Sequence, residues 1–374
     1  MACVEPYEPK SEFYERSVVI EGMVTSELKV QEIAVSETYA LDVDSISYVT
    51  DAKVRVFSSE GDTYNFFYDT NGKYRSEQVF MAREGVNYQL EVEVNGNVYQ
   101  SDKEKITGYS DLENVVAKEA VNDEGEIGVS ITVNSNALND DSKYYRYTYE
   151  ETYKIVSPYT QAKYFINNGN GVELVDVPAG VEREVCYNTL NSQKGILSNT
   201  DLQNDNDQND QLIKFLRIDD FKIINRYSIL VRQHVISGDA FRFYQTLDEL
   251  SNSESVFAQN QPGFLAGNIE NVSNSDENVV GYFEVASVQQ KRIFFSFLDI
   301  FDYTQRRDLR VDCPKSRPLS ADLVYYIRQN LIQYLSPAPP SESPYEGPWY
   351  LVPIECIDCR VLGTPVKPEF WIDE

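Results

Sequence analysis

Five cysteines constrain this chain most: four of them, Cys186, Cys313, Cys356 and Cys359, lie far along it, and Cys3 stands two residues from its start. An even set of four reads as two disulfides formed in an oxidising compartment, whereas a leftover cysteine near a start reads as a lipid attachment point. Cys356-x-x-Cys359 is the sharpest part of the pattern. As a redox motif it lacks a βαβ context, and as half of a zinc site it would need Cys186 and Cys313, which form no second Cys-x-x-Cys. Structural disulfides are therefore expected at all four positions, tying the proline- and aromatic-rich tail of residues 341–374 to the body at about 2–4 kcal/mol per bridge. Four cysteines leave three pairings open.

Met1-Ala2-Cys3 reads like the remnant of a lipoprotein cleavage site, small residues followed by Cys, in a precursor exported with a signal peptide absent from this chain. Pro6 and Pro9 disfavour helix and central strand in the segment that follows, so residues 1–15 are expected to be a tether with the lipid on Cys3. A free thiol there is the other reading. No run of 18 apolar residues occurs, so no helix is expected to span a bilayer, and membrane contact is expected through the N-terminal lipid only. The formal net charge of −27 repels phosphate backbones and argues against nucleic acid as a partner.

The fold class is expected to be mainly β. Aromatics suited to half-buried strands are abundant, 27 Tyr and 18 Phe against 3 Met. Ala52, Val54 and Val56 alternate with Lys53 and Arg55, and Tyr88 to Val94 alternates in the same way before Asn95-Gly96, a strong hairpin signal. Residues 16–107 are thus expected to form an antiparallel sandwich of roughly seven strands, the count of an immunoglobulin-like or transthyretin-like module. A larger β-rich domain is expected over 108–374. In it, residues 221–236 read as a long strand, 279–286 and 292–298 as two further strands, and 157–180 and 191–211 as long loops. The period changes to 3.6 over 237–250, where Ser237 precedes a stripe of Ala240, Phe243, Tyr244, Leu247 and Leu250. A second helix is expected over 320–335, stopped by the prolines from Pro337 to Pro340, and the tail beyond is expected to pack without a ladder.

Catalytic signatures are missing from the sequence. The single histidine, His234, shares a strand face with Leu230, Arg232 and Ile236 and reads as structural. There is no Ser-His-Asp or Cys-His context, no phosphate loop and no histidine cluster, so no enzyme, cofactor or metal is expected. The loop containing Asp201, Asp205, Asp207 and Asp210 starts like a calcium loop. It puts Asp210 where a glycine is needed and Leu216 where the closing glutamate belongs, so it reads as a solvated polar loop. The candidate ligand or partner surface is the tyrosine run Tyr144, Tyr145, Tyr147 and Tyr149, together with Trp349, where rings could stack on a glycan or peptide cargo; packing into a core is the competing role.

Several strings carry a resemblance: Val18-Val-Ile-Glu-Gly22, the Ala-x-Val-x-Val unit, Gln233-His-Val-Ile-Ser-Gly-Asp-Ala-Phe-Arg-Phe243, Gly267-Asn-Ile-Glu-Asn271, Val280-Gly-Tyr-Phe-Glu-Val-Ala286, Cys356-Ile-Asp-Cys359 and Lys367-Pro-Glu-Phe-Trp371. In this order they resemble the Bacteroidota surface lipoproteins of domain of unknown function 4249. The resemblance implies an outer-membrane, extracellular location and partnership with a SusC-like TonB-dependent barrel, in the lid role that SusD-like proteins fill elsewhere, in substrate capture and import or in outer-membrane assembly. A stand-alone glycan- or peptide-binding module is the alternative expectation.

Overall fold

The computed structural model describes residues 17–38, 47–169, 171–200, 208–252, 265, 267–275, 277–305 and 313–373. Cys3 and the aspartates at 201, 205 and 207 lie outside the described residues. The chain is mainly β, as the alternating patterns predict. The first strands are β1 (Val18–Thr25), β2 (Glu32–Glu37), β3 (Ser47–Tyr48), β4 (Lys53–Ser58), β5 (Thr63–Thr70), β6 (Lys73–Ser76), β7 (Tyr88–Val94) and β8 (Asn97–Ser101). Their reversals occur where the sequence allows left-handed backbone: Asn71 and Gly72 between β5 and β6, Asn95 and Gly96 between β7 and β8.

The chain continues through β9 (Ser110–Val121), β10 (Ile127–Ala137), β11 (Tyr144–Val156), β12 (Lys163–Asn167), β13 (Val172–Asp176), β14 (Val185–Asn191), β15 (Ile196–Asn199), β16 (Gln208–Arg217) and β17 (Arg226–Ile236). Then come α1 (Gly238–Asn252), β18 (Ile269–Asn271), β19 (Val280–Ser296), α2 (Phe297–Ile300), α3 (Ser320–Arg328), β20 (Ile332–Pro337) and β21 (Trp349–Pro353). The main sheet runs β14-β11-β17-β19-β1-β2-β6-β5-β4-β7-β8-β18, with β15 on β11 and β3 on β2.

β19 organises this sheet. Residues 280–286 pair in parallel with β1, and residues 287–296 pair antiparallel with β17. Two separate strands were expected here; the structure has one 17-residue strand whose halves have different neighbours. The apolar first half packs Phe283 and Val285, with Val279 just before the strand, into the core of the first eight strands. The sheet therefore runs across residue 107 through β19. The close approach of β19 to β1 depends on Gly281, at φ +136°, where a Cβ would fall 1.9 Å from the carbonyl oxygen of Ile20.

A second core lies between the main sheet and the three-stranded sheet β16-β10-β9. It contains Val129, Ile131 and Val133 from β10 and Tyr145, Tyr147, Tyr227 and Val231 from β11 and β17, all fully buried. Each fully buried aliphatic or aromatic side chain contributes about 1.5–3 kcal/mol, so this interface fixes which face of β11 points inward.

Five further segments depart from the sequence expectations. Residues 157–180 hold the β12–β13 hairpin, and residues 191–211 include β15 and the start of β16 rather than loop alone. Residues 221–223 form a short 3-10 turn capped by Asp220 before β17 begins. The helix expected over 320–335 stops at Arg328, because Asn330 takes a left-handed conformation at φ +53°, and Leu335 then belongs to β20. The tail also has a ladder: β21 pairs with β20, while 3-10 turns over Ile354–Cys356 and Cys359–Val361 complete it. The helix over 238–252 has the expected cap, with Ser237 Oγ accepting from the Ala240 amide at 3.1 Å.

Candidate functional site

All four body cysteines are paired. Cys186 bonds Cys359 and Cys313 bonds Cys356, so each member of Cys356-x-x-Cys359 reaches a different partner. Cys186, Cys356 and Cys359 are fully buried. The first bridge joins β14 to the last 3-10 turn, beside the Tyr187 and Thr364 backbone pair and the Asn188 Nδ2 bond to the Leu362 carbonyl.

The expected tyrosine surface is divided by strand alternation. Tyr145 and Tyr147 are fully buried against β10, stacked with centroids 6.3 Å apart, so they pack the core and offer no ligand face. Tyr149 is half-buried, with the Lys214 ammonium 4.6 Å over its ring and bonded to its hydroxyl at 3.0 Å. Tyr144 is half-buried against Phe241 of α1. Trp349 is half-buried in a ring cluster with Phe165 and Tyr334. Asp210, the one described aspartate of the polar loop, pairs with Lys118 at 3.4 Å. Among the described residues no group of three or more His, Cys, Asp or Glu could hold a metal ion, and no helix is long and apolar enough to cross a membrane.

The strongest polar constellation is one the sequence reading missed. Alternation turns Arg146, between Tyr145 and Tyr147, to the opposite face of β11, under α1. There its Nη1 lies 2.9 Å from Oε1 of Glu284 on β19, and its guanidinium stacks 4.1 Å from the ring of Tyr244 on α1. Tyr244 donates its hydroxyl to the same Glu284 oxygen at 3.0 Å. Gly195 makes room for this, since a Cβ there would fall 2.6 Å from Arg146 Nε. The signal was present: an arginine inside a tyrosine run, and an acid inside the apolar string Val280 to Ala286.

Arg146 and Tyr244 border a recess of about 390 Å³ between β1, β2 and α1, with Lys194, Asp248 and Glu21 also on its walls. Burial pushes the Glu284 carboxyl up, against the opposing pull of the Arg146 charge and the Tyr244 hydrogen bond. Burial also raises the Tyr244 phenol well above its usual value, helped by the Glu284 charge. Behind them His234, opposite Arg146 in the β11–β17 register, is buried and its pKa is lowered to about 3, so it stays neutral. Neither arginine nor phenol exchanges protons near neutrality; the phenol proton is committed to Glu284, and the guanidinium N–H groups not spent on that carboxylate are the donors left on the recess wall. This geometry suits recognition of a polar ligand.

No curated protein matches the chain. The model of a family described as Domain of unknown function (DUF4249) does match, over residues 4–292. That span covers most of the sequence and includes Arg146, Glu284, Tyr244 and β19 as far as Arg292, and the chain belongs to this family.

Proposed function

We propose that the protein is a lipid-anchored accessory on the extracellular face of an outer membrane, held through Cys3, and that it acts without catalysis as the lid-like partner of a SusC-like TonB-dependent barrel. In this reading residues 16–107 serve as an immunoglobulin-like support, and the recess beside Arg146 and Tyr244 receives cargo or a loop of the partner. The observation that carries the reading is the pair of disulfides, since structural bridges of this kind persist in exported proteins and are rare in reducing compartments. The acidic surface supports it, because a charge of −27 keeps the body away from anionic lipid headgroups while a tether holds it near the membrane. Gentle detergent extraction of the native protein, followed by affinity capture, tests it. The expected result is co-purification of a barrel of TonB-dependent type with an acylated N-terminus; recovery of the protein alone and unacylated would overturn the proposal.

A further inference from the structure

A second recess, of about 590 Å³, lies between the β12–β13 hairpin, α3 and the closing 3-10 turns. Among the described residues its charged lining is three arginines, Arg183, Arg328 and Arg360, against one carboxylate, Asp358. In a chain with 33 basic and 60 acidic residues this local excess of positive charge runs against the composition. Asp358 is already committed: Arg360 grips it with two bonds, Nε to Oδ1 at 2.8 Å and Nη2 to Oδ2 at 2.7 Å. Burial by itself would raise the Asp358 carboxyl, yet the hydrogen bonds from Arg360 and the charges of both neighbouring arginines hold it below its usual range, so it is ionised and spent.

The other two guanidinium groups are left with little. Arg183 has a side chain only 12% exposed; its Nε stands 3.7 Å from Asp358 Oδ2, beyond hydrogen-bond reach, and has no acceptor among the described residues. Its guanidinium lies 4.1 Å from the Tyr164 ring centroid, which fixes the plane of the fork. Among the described residues Arg328 reaches only the Gly169 carbonyl, at 3.3 Å. A dehydrated arginine donor without an acceptor is costly to keep, and a planar fork held on an aromatic face matches a bidentate oxyanion. Ile166, Ile327 and Val361 add apolar wall between the cations.

We propose that this recess binds a small organic carboxylate, with its anionic end between Arg183 and Arg328 and an apolar or aromatic body against the isoleucines and Tyr164. This needs neither the lipid anchor nor the barrel, so it stands or falls apart from the accessory role. The two walls are joined by the Cys186–Cys359 bridge and by the bond from the Cys359 amide to the Arg183 carbonyl at 2.9 Å, so the site belongs to the oxidised protein.

Benzoate and benzamide, equal in shape and different in charge, make the test. Titrated by calorimetry into the oxidised full chain at low salt, benzoate should bind at least about tenfold more tightly than benzamide. Arg328→Gln, at an exposed position away from the bridges, should weaken benzoate by about three- to tenfold while leaving the circular dichroism unchanged. Arg183→Lys, which keeps the charge and loses the fork, should weaken it as well. Lys194→Gln, in the other recess, should leave it alone. Equal affinity for benzoate and benzamide, no benzoate binding up to its solubility, or inorganic phosphate binding where benzoate does not would each overturn the assignment. So would a folded Arg328→Gln variant with unchanged affinity.

Discussion

Replacing His234 with leucine isolates a single titration. His234 is the only histidine in the chain, buried on β17 between Arg146 of β11 and Val288 of β19. Burial, then the charges of Arg146, Lys29 and Arg232, lower its pKa to about 3. Unfolded, an imidazole takes up its proton near pH 6.5, so between that value and about 3 the unfolded chain binds more protons than the folded one. Stability fully present above pH 6.5 is therefore lost as pH falls through this window, by about 2 kcal/mol between pH 7 and pH 5. The figure is the same for any folded pKa below about 4, because the folded imidazole then stays neutral throughout. Glu104 works in the opposite sense: burial raises its carboxyl to about 7, a contribution present at low pH and lost as pH rises through that value. Glu284 has the same sign. Both are retained in His234→Leu and cancel to first order when the two proteins are compared. Urea unfolding at pH 7 and pH 5 should show the parent losing about 2 kcal/mol more than the variant. Equal losses, or an imidazole seen by NMR to titrate above pH 6, would refute the reasoning.

Removing the bridge with Cys186→Ala and Cys359→Ala releases a loop spanning 173 positions. Chain entropy sets the loss at about 5 kcal/mol at most, and guanidinium unfolding is expected to read about 2–5 kcal/mol, with faster proteolysis of the tail. Arg146→Met strands the Glu284 carboxylate in the interior and should cost about 3–5 kcal/mol, partly recovered by adding Glu284→Gln; double-mutant unfolding measures the recovery. Gly281→Ala should cost more than about 2 kcal/mol by thermal unfolding, since a Cβ there meets the Ile20 carbonyl in the β1–β19 pairing and that backbone cannot yield.

Local chemistry was legible in the sequence, and pairing over distance was not. The alternation through Ala52 to Val56, the Asn95-Gly96 turn and the Ser237 cap each depend on a few neighbouring residues, and each recurs in the structure. α3 was overextended because Leu331 and Leu335 continue a helical spacing that the left-handed Asn330 interrupts. The existence of disulfides follows from counting, but their pairing depends on which walls the fold brings together. Arg146 and Glu284 stand 138 positions apart, and no periodicity on either strand announces the other. Polar residues inside apolar or aromatic runs, here Arg146 and Glu284, are the trace such a pair leaves in one dimension.

The two recesses depend on different parts of the chain. Arg146, Tyr244 and Glu284 all lie within the matched span of residues 4–292, and β17, paired with β11 on one side and β19 on the other, holds the strands of Arg146 and Glu284 in one sheet. The arginine recess takes Arg183 from inside that span and Arg328 and Arg360 from beyond it. Its walls are held together by the Cys186–Cys359 bridge, which ties the tail to β14, and by the Gln333 bonds to both backbone groups of Phe165, which dock it on the hairpin. Loosening the tail should therefore abolish carboxylate binding before it disturbs the Arg146 recess. Reduction under native conditions separates the two: benzoate heat should vanish while the far-ultraviolet signature of the main sheet remains. Loss of both together would mean that the tail supports the whole body and that the two recesses form a single cooperative unit.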